Sequence, residues 1–251
     1  MMRRFVCLAV LLATTSAAWA QTPETLRAAV ASPSRSPAFV ARDAARHPLE
    51  ELAFFGVQPT SSVVEIWPGG GYWTEILAPY LHDRGHYIAA VPPGDGTTAF
   101  HARFPQARTS TLGGGQYEVA PPGSVDFVLT FRNLHNWMAK DEADRVLAGF
   151  FAAQKPGGGF GIEEHRARPD RPQDPHAASG YVRQDYAMAL AHKAGFVFVA
   201  ASEIDANLRD TTDWPKGVWT LPPEFRLGDL DRAKYAAIGE ADNFVLLFRK
   251  P

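Results

Sequence analysis

The sequence has almost no cysteine and, beyond its N-terminus, no long apolar run. Its one cysteine, Cys7, lies in the apolar stretch of residues 5–13, which follows a basic start and precedes Ala18-Trp19-Ala20. This order predicts a secretory signal peptide over residues 1–20, cleaved after Ala20. The mature chain then has no cysteine, which excludes disulfides, thiolate catalysis and cysteine-ligated metal.

The scarcity of net charge and of apolar runs excludes two further classes of protein. A formal net charge of −2 over 251 residues argues against electrostatically driven binding to nucleic acid. No run after residue 20 is long enough to span a bilayer. We therefore expect a periplasmic or secreted protein with no membrane-spanning segment after signal cleavage. A flexible leader at residues 21–37, rich in Ala, Ser and Pro, precedes one domain at residues 38–251.

The domain is organised around a short apolar run that ends in glycines. Residues 63–66 predict a fully buried strand, and Gly69, Gly70 and Gly71 predict a turn. Apolar residues at helical spacing over residues 73–81 predict a helix after it. Glycines let a ligand approach the backbone closely, and a helix start presents free N–H groups. In an open α/β sheet, ligands bind at the carboxyl ends of the strands, where this loop lies.

A dinucleotide fits this loop poorly. The dinucleotide fingerprint has a third glycine at the position of Thr74 and an acid at the end of the second strand. The second predicted strand, residues 86–91, is instead followed by Pro92-Pro93. A glycine-rich turn that binds no ligand stays open as an alternative.

A second polar stretch follows the buried strand predicted at residues 125–130. It contains Arg132, Asn133 and His135 within a few positions. Such a run at the carboxyl end of a strand is typical of a functional site. A segment that only caps the next helix explains the same residues equally well.

Three other segments have open roles. The fifth predicted strand ends in Glu163-Glu164-His165, which are metal-ligand types, but no HExxH helix surrounds them and we predict no metal site. The cluster Arg42-Asp43 with Arg46-His47 is either a solvated helix face, the favoured interpretation, or a lid over the loop. The insertion at residues 205–242 either covers a substrate or fills the sheet edge.

These segments together resemble class I S-adenosylmethionine (SAM) methyltransferases, and in particular a group of predicted bacterial methyltransferases that carry a signal peptide. The resemblance rests on Val64-Glu65-Ile66-Trp67-Pro68-Gly69-Gly70-Gly71, Arg42-Asp43 with Arg46-His47-Pro48, Arg132-Asn133-Leu134-His135-Asn136-Trp137, Glu164-His165-Arg166-Ala167, Ser179-Gly180-Tyr181 and Trp219-Thr220-Leu221-Pro222-Pro223. It implies an α/β, Rossmann-like sheet, mostly parallel with an antiparallel last strand, and helices on both faces. Trp67 departs from the superfamily's usual motif, which has glycine there.

The resemblance also implies a cofactor and an activity. SAM is the implied cofactor, and the residues assigned to it are Glu65, Trp67, Pro68, Gly69, Gly70, Gly71, Val91 and Arg132. The implied reaction is in-line transfer of a methyl group to an unidentified small-molecule acceptor, in which positioning supplies most of the rate.

Two histidines are candidate general bases for such a reaction, His135 and His165, with Asn133 as a candidate to orient His135 or the acceptor. A different class stays open: a secreted binding protein for SAM or a nucleoside-like ligand, without turnover. SAM is made in the cytosol, and the second predicted strand lacks the acid that would hold the ribose hydroxyls.

Overall fold

The computed structural model describes residues 24–251, so the predicted signal peptide lies outside the described residues. The helices are α1 (Glu24–Val30), α2 (Pro37–Val40), α3 (Asp43–Arg46), α4 (Pro48–Phe55), α5 (Thr74–Leu81), α6 (Asp95–Arg103), α7 (Leu134–Met138), α8 (Ala143–Ala153), α9 (Gln184–Lys193) and α10 (Arg232–Ile238). The strands are β1 (Ser62–Ile66), β2 (His86–Val91), β3 (Arg108–Thr111), β4 (Val125–Phe131), β5 (Gln154–His165), β6 (Val197–Ser202), β7 (Pro215–Val218) and β8 (Asn243–Arg249). None of these helices is long and apolar enough to cross a membrane.

Seven strands form one sheet in the order β3-β2-β1-β4-β5-β8-β6. The strands from β3 to β5 are parallel to their neighbours, whereas β8 runs antiparallel to both β5 and β6. The predicted Rossmann-like sheet, mostly parallel with an antiparallel last strand, is confirmed. Because β1 lies between β2 and β4, the strand order reverses beside β1, which is where open α/β sheets bind ligands.

Successive residues of β1 pack into different hydrophobic cores. Val63 packs with residues of α1, α4 and α5, whereas Val64 packs with residues of α7, α8 and α9. Both valines are fully buried. A strand covered by helices on both faces has a continuous apolar sequence, which explains the run that starts the glycine loop.

The chain before residue 38 is more ordered than the prediction of a flexible leader over residues 21–37. Residues 24–30 form α1, which contacts α4 and α5. Leu26 is fully buried and Ala29 nearly so, three positions apart on one helix face. Arg35 is also buried and forms an ion pair with Asp43 at 2.7 Å. The prediction is therefore wrong from residue 24 onward, because this short apolar face packs onto the domain.

The insertion between β6 and β8 forms a small separate core together with Tyr181, which precedes α9. That core consists of Tyr181, Val218, Leu221, Tyr235 and Ala241, with other apolar side chains packed around it. Asp210 fixes its position, because the hydroxyl of Tyr181 donates a hydrogen bond to Asp210 at 2.9 Å and Nε1 of Trp214 donates another at 2.6 Å. The insertion therefore has a defined structure at the carboxyl edge of the sheet.

Candidate functional site

A cavity of about 390 Å³ lies at the carboxyl ends of β1, β4 and β5. Arg46 of α3, Gly69 of the glycine loop, Arg132 after β4 and Trp219 of the insertion all line it. A second cavity, of about 460 Å³, lies between the same loop and α6. Both cavities share the loop and Asn133. The loop therefore separates two adjoining spaces at the place where the sheet order reverses.

Trp67 has the backbone conformation that glycine usually takes. Its φ angle is 45°, in the left-handed region that residues with a Cβ rarely adopt. Nε1 of its indole donates a hydrogen bond to the carbonyl oxygen of Leu112 at 3.0 Å. The ring also meets that of Trp137 with the centroids 5.6 Å apart. These contacts hold a strained residue in place where the resembled superfamily has glycine.

The glycines of the loop have different surroundings. Gly69 and Gly70 line both cavities, and a Cβ on Gly69 would meet no atom within 4 Å. Gly71 lines neither cavity. Its φ is +89°, and a Cβ there would lie 2.3 Å from the ring of Phe104. Gly71 thus allows the loop to pack on Phe104, which does not agree with its predicted contact to a cofactor.

Glu65, at the end of β1, is fully buried and lines the first cavity. Its Oε2 accepts hydrogen bonds from Thr74 at 2.9 Å and from Tyr87 at 2.6 Å. Oε1 has no hydrogen-bond partner in the described part of the chain, and Nε1 of Trp73 in the same wall also has none. Burial raises the pKa of Glu65 to about 7, although both hydrogen bonds oppose this shift. The wall thus holds one unused acceptor and one unused donor.

Arg132 and Glu163 form an ion pair where β4 and β5 end. One terminal nitrogen of Arg132 lies 2.6 and 2.7 Å from the two carboxylate oxygens of Glu163. Nδ2 of Asn243, at the start of β8, donates a further hydrogen bond to Glu163 at 2.8 Å. Burial raises the pKa of Glu163 to about 7, and Arg132 opposes the shift. This pair fixes the floor of the cavity on the β5 side.

His135 lies on α7 and lines the first cavity. Its Nδ1 is 2.9 Å from Oε1 of Glu164, and its backbone N–H donates to Oε2 at 3.2 Å. Burial alone would raise the pKa of Glu164, but its interactions with His135 and the hydrogen bond from the backbone N–H of His165 outweigh burial and lower that pKa. An ionised carboxylate only accepts hydrogen bonds, so Nδ1 of His135 carries a proton. In the neutral imidazole, Nε2 is then unprotonated.

His165 lies beside His135, with the ring centroids 5.5 Å apart. Its Nδ1 is 2.7 Å from Oδ1 of Asn243. Because Nδ2 of that amide is bound to Glu163, the amide oxygen faces the imidazole and accepts a hydrogen bond from Nδ1. Burial, followed by the charges of His135 and Arg132, lowers the pKa of His165 to about 3, although Glu164 opposes the shift. His165 is therefore a neutral imidazole at physiological pH.

Asn133 does not orient His135. Its amide nitrogen donates to the carbonyl oxygen of Ile66 at 3.0 Å and to the hydroxyl of Thr130 at 3.3 Å. These bonds connect the ends of β1 and β4 beneath both cavities. Asn133 still lines both cavities, so contact with a ligand remains a prediction, whereas the orienting group of His135 is Glu164.

Arg42 and Arg46 reach the first cavity from the N-terminal helices. Arg42 binds both carboxylate oxygens of Glu240, at 2.6 and 2.8 Å, and Nε of Arg46 lies 3.1 Å from the same carboxylate. Burial and the charge of Arg132 lower the pKa of Arg46 to about 10. Against the effect of burial, the two arginines lower the pKa of Glu240 to about 2. The favoured interpretation of a solvated helix face is wrong for Arg46, which is part of the cavity wall.

Glu51, Glu163 and Asp205 form a buried group of acids, and none of the three lines the cavity. Neither oxygen of Glu51 has a hydrogen-bond donor in the described residues. Burial, and then the charges of Glu163 and Asp205, raise the pKa of Glu51 well above its ordinary value. Glu51 therefore favours its protonated form more than an exposed glutamate does, and it offers a buried comparison for Glu65.

Most residues predicted for the site do line these cavities. Glu65, Trp67, Pro68, Gly69, Gly70, Arg132, Asn133, His135 and His165 line the first, and Val91 lines the second. Gly71 is the exception. Sequence analysis did not assign five further residues to the site. They line the cavity or hold its side chains by hydrogen bonds, and they are Trp73, Glu164, Asn243, Arg46 and Glu240. Glu164 had a usable signal, an acid at the end of a buried strand, whereas Asn243 and Glu240 had none.

Comparison with known proteins supplies the fold and little more. No protein-family model matches the sequence, and no curated sequence matches it either. Several solved structures resemble it. A SAM-dependent methyltransferase from Aquifex aeolicus aligns with a TM-score of 0.56 and 14% identity, over 83% of this chain and 92% of the other. A SAM-dependent methyltransferase from Mesorhizobium loti aligns with a TM-score of 0.51 and 13% identity, over 80% of this chain and 97% of the other.

The fold is that of a Rossmann-like methyltransferase. The cyclase SpnF has the same TM-score as the Aquifex aeolicus protein, 0.56, with 14% identity, over 82% of this chain and 80% of its own. A methyltransferase-like fold therefore does not by itself decide which reaction a chain performs. The decision depends on the residues of the site.

Proposed function

We propose that this chain is an exported SAM-dependent methyltransferase that acts on a small-molecule acceptor. The observation that carries the proposal is the unpartnered Oε1 of Glu65, buried in the wall of a cavity beside a glycine loop. A buried acceptor without a donor costs free energy unless a ligand satisfies it. The place of this cavity, at the reversal of strand order, agrees with a ligand site of the fold.

The residues of the cavity fit SAM. Oε1 of Glu65 can accept a hydrogen bond from the α-ammonium group of the cofactor. Nε1 of Trp73 and the guanidinium of Arg46 can donate to its α-carboxylate. Gly69 and Gly70 allow the backbone to approach the ligand closely. The second cavity, with Val91 and Phe100 in its wall, provides an apolar space for a flat base.

When bound, SAM supplies an electrophilic methyl group. The remaining work falls to residues of this chain. Trp219, Pro222 and Pro223 of the insertion line the same cavity, and we expect them to limit the access of water to the reacting groups. His135, held by Glu164, can accept a proton at Nε2 from an acceptor that arrives protonated. Positioning of the acceptor against the methyl group supplies most of the rate.

The test is calorimetry of purified protein with SAM and with S-adenosylhomocysteine. Glu65→Gln should lower SAM affinity by about tenfold or more, because the ammonium loses a charged acceptor. Glu51→Gln is the matched control, since it changes another fully buried glutamate that does not line the cavity. Equal affinity for SAM in the wild type and Glu65→Gln would remove the main support for the proposal.

Export belongs to the same proposal. The basic start, the apolar stretch and Ala18-Trp19-Ala20 support cleavage after Ala20. Mass spectrometry of the protein recovered from the periplasm or medium should find Gln21 as the first residue. An intact Met1 on protein recovered from the cytosol would contradict export.

A second function is a secreted binding protein for SAM or a nucleoside-like ligand, without turnover. The observation that favours it is the end of β2, where Val91 is followed by Pro92-Pro93 and not by an acid that could hold ribose hydroxyls. Export away from the site of SAM synthesis favours it too. Calorimetry that detects SAM, combined with no methylated product from any acceptor tried, would support this alternative.

A further inference from the structure

The chemistry of the acceptor can be inferred from the two histidines of the cavity, if the proposed function is correct. Nδ1 of His135 is held by Glu164 and Nδ1 of His165 by Asn243. In the described residues, neither Nε2 atom has a hydrogen-bond partner. Neither of them is among the fully buried polar atoms that lack a partner, so both are accessible. Both side chains line the first cavity. Each Nε2 is therefore open to a ligand.

In the neutral imidazole, each of these nitrogen atoms is a hydrogen-bond acceptor. The ionised Glu164 and the fixed amide of Asn243 each place the single proton of a neutral imidazole on Nδ1. The same arrangement, in which a carboxylate or amide holds one ring nitrogen, keeps the other nitrogen basic and correctly oriented. An acceptor molecule that fits this wall must donate hydrogen bonds to it.

Several nucleophile classes fit this requirement poorly. An aliphatic alcohol is too weak an acid for an imidazole to deprotonate. An alkyl amine is a cation at neutral pH, and it has no free lone pair until it loses a proton. A thiol is a weak hydrogen-bond donor, and a carboxylate has no proton to give. A phenol donates strongly, and its pKa of about 10 lies within reach of an imidazole base in a site that stabilises the anion.

The walls of the cavity agree with an aromatic ring. Trp219 lies near His135, with the ring centroids 5.8 Å apart. Phe131 and Trp73 are stacked at 4.1 Å in another part of the wall. Aromatic side chains prefer contact with other rings. Arg132, also in the wall, carries a charge that favours an oxygen anion.

We infer that the acceptor is a small phenol, methylated on its hydroxyl oxygen, with His135 as the catalytic base and Glu164 as its positioning residue. The hydroxyl proton moves to Nε2 of His135. A lone pair of the phenolic oxygen forms the new bond to the methyl carbon while the carbon–sulfur bond breaks, and its electron pair stays on sulfur. The products are a methyl ether, a thioether and protonated His135.

The experiment uses 4-nitrophenol, whose ionised form absorbs in the visible range, and 4-nitroanisole, which has the same ring without the proton. Binding of both is measured with S-adenosylhomocysteine present, at a pH below the pKa of free 4-nitrophenol. The wild type should bind 4-nitrophenol about tenfold more tightly than 4-nitroanisole and show the nitrophenolate band. With SAM in its place, mass spectrometry should detect 4-nitroanisole as the product.

Variants separate the roles of the two residues. His135→Gln should lose the nitrophenolate band and the preference for 4-nitrophenol, and keep its affinity for 4-nitroanisole. Glu164→Gln should show a weaker nitrophenolate band than the wild type at the same pH and keep its affinity for 4-nitroanisole, because the carboxylate no longer holds Nδ1 of His135. His82→Gln and Asp83→Asn are the controls, because they change a histidine–carboxylate pair of 2.8 Å that is exposed. Both controls should behave as the wild type.

Two results would overturn the inference. One is 4-nitrophenol bound without the nitrophenolate band, or bound equally well by His135→Gln. The other is normal SAM binding with neither uptake nor methylation of 4-nitrophenol, which removes the phenol and leaves the methyltransferase standing. Absence of SAM binding overturns the proposed function itself, and the phenol with it.

Discussion

Glu65 and Glu164 are both fully buried glutamates at the same edge of the sheet, yet their pKa values move in opposite directions. Burial dominates at Glu65, whose partners are two neutral hydroxyls and whose Oε1 has no partner. At Glu164 the partners dominate, since His135 and the backbone of His165 bind both of its oxygens. On the β1 side of the cavity, a buried carboxylate oxygen thus lacks a hydrogen-bond donor that a ligand could supply. On the side at β4 and β5, called the connected side below, both carboxylate oxygens of Glu164 already have donors from the protein.

This difference matches two separate tasks. A wall with an unused acceptor gains free energy when a ligand supplies the missing donor. A connected wall keeps its side chains in one orientation before the ligand arrives, which is what positioning of a reacting group requires. We therefore expect substitutions on the β1 side to lower ligand affinity with little loss of stability, and substitutions on the β5 side to lower stability and reactivity.

The largest effect on stability is expected for Arg132→Met. Removing the guanidinium leaves Glu163 buried without its cation, and such changes cost about 3–5 kcal/mol. Urea unfolding at pH 8 should measure a loss of this size. Arg168→Met removes an exposed arginine paired with Asp170 and should leave the unfolding free energy unchanged. A loss for Arg132→Met no larger than that of the control would show that the connected wall contributes little.

The next effect, on the β1 side, has the opposite sign. The pKa of Glu65 is raised from 4.5 to about 7 in the folded protein. Its contribution to stability is therefore fully present below pH 4.5 and is lost as the pH rises through 7. Glu65→Gln should be more stable than the wild type by up to about 3 kcal/mol at pH 9, and the difference should vanish near pH 4. Melting curves of both proteins without ligand across this range test it.

Glu164→Gln should show the reverse dependence on pH. The pKa of Glu164 is lowered in the folded protein, so its contribution to stability is present above the ordinary pKa and is lost as the pH falls through the folded value. The variant should be about 2 kcal/mol less stable than the wild type at pH 7, with a difference that narrows in acid. If Glu65→Gln and Glu164→Gln were both more stable, or both less stable, than the wild type, the contrast between the two sides of the cavity would be contradicted.

The sequence predicts the β1 side of the site better than the connected side. A buried strand, a glycine turn and an amphipathic helix are local patterns, and they place Glu65 and Gly69 without knowledge of the rest of the fold. Partners such as Asn243 cannot be found this way. Because β8 is antiparallel, its first residue, and not its last, lies at the edge where the parallel strands end. Glu240 reaches Arg42 across 198 positions of the sequence, a distance at which no local pattern applies.

The helix α1 was missed for a related reason. Residues 24–30 are short and rich in alanine, and only two of them, Leu26 and Ala29, are buried. A helix of this length is marginal on its own and depends on tertiary packing. Composition alone therefore indicated a flexible leader, and the contact with α5 decided otherwise.

The smallest effect on stability is expected inside the glycine loop, and it tests the β1 side most directly. Gly69 has a φ of +55° and open space where a Cβ would lie. Gly69→Ala should therefore cost only the strain of a left-handed backbone, about 1 kcal/mol. Gly123 has a φ of +63° and equally open space, in a turn that lines neither cavity, so Gly123→Ala should cost the same.

The two alanine variants should then differ only in their affinity for SAM. The new methyl group of Gly69→Ala occupies space where a ligand would approach the backbone, so calorimetry should show a loss of tenfold or more. Gly123→Ala should bind SAM as the wild type does. Gly71→Ala cannot replace this comparison, because its Cβ would collide with Phe104 at 2.3 Å and a loss of affinity would follow from a displaced loop. If Gly69→Ala and Gly123→Ala bind SAM equally well, the loop only supports the sheet, and the ligand lies elsewhere.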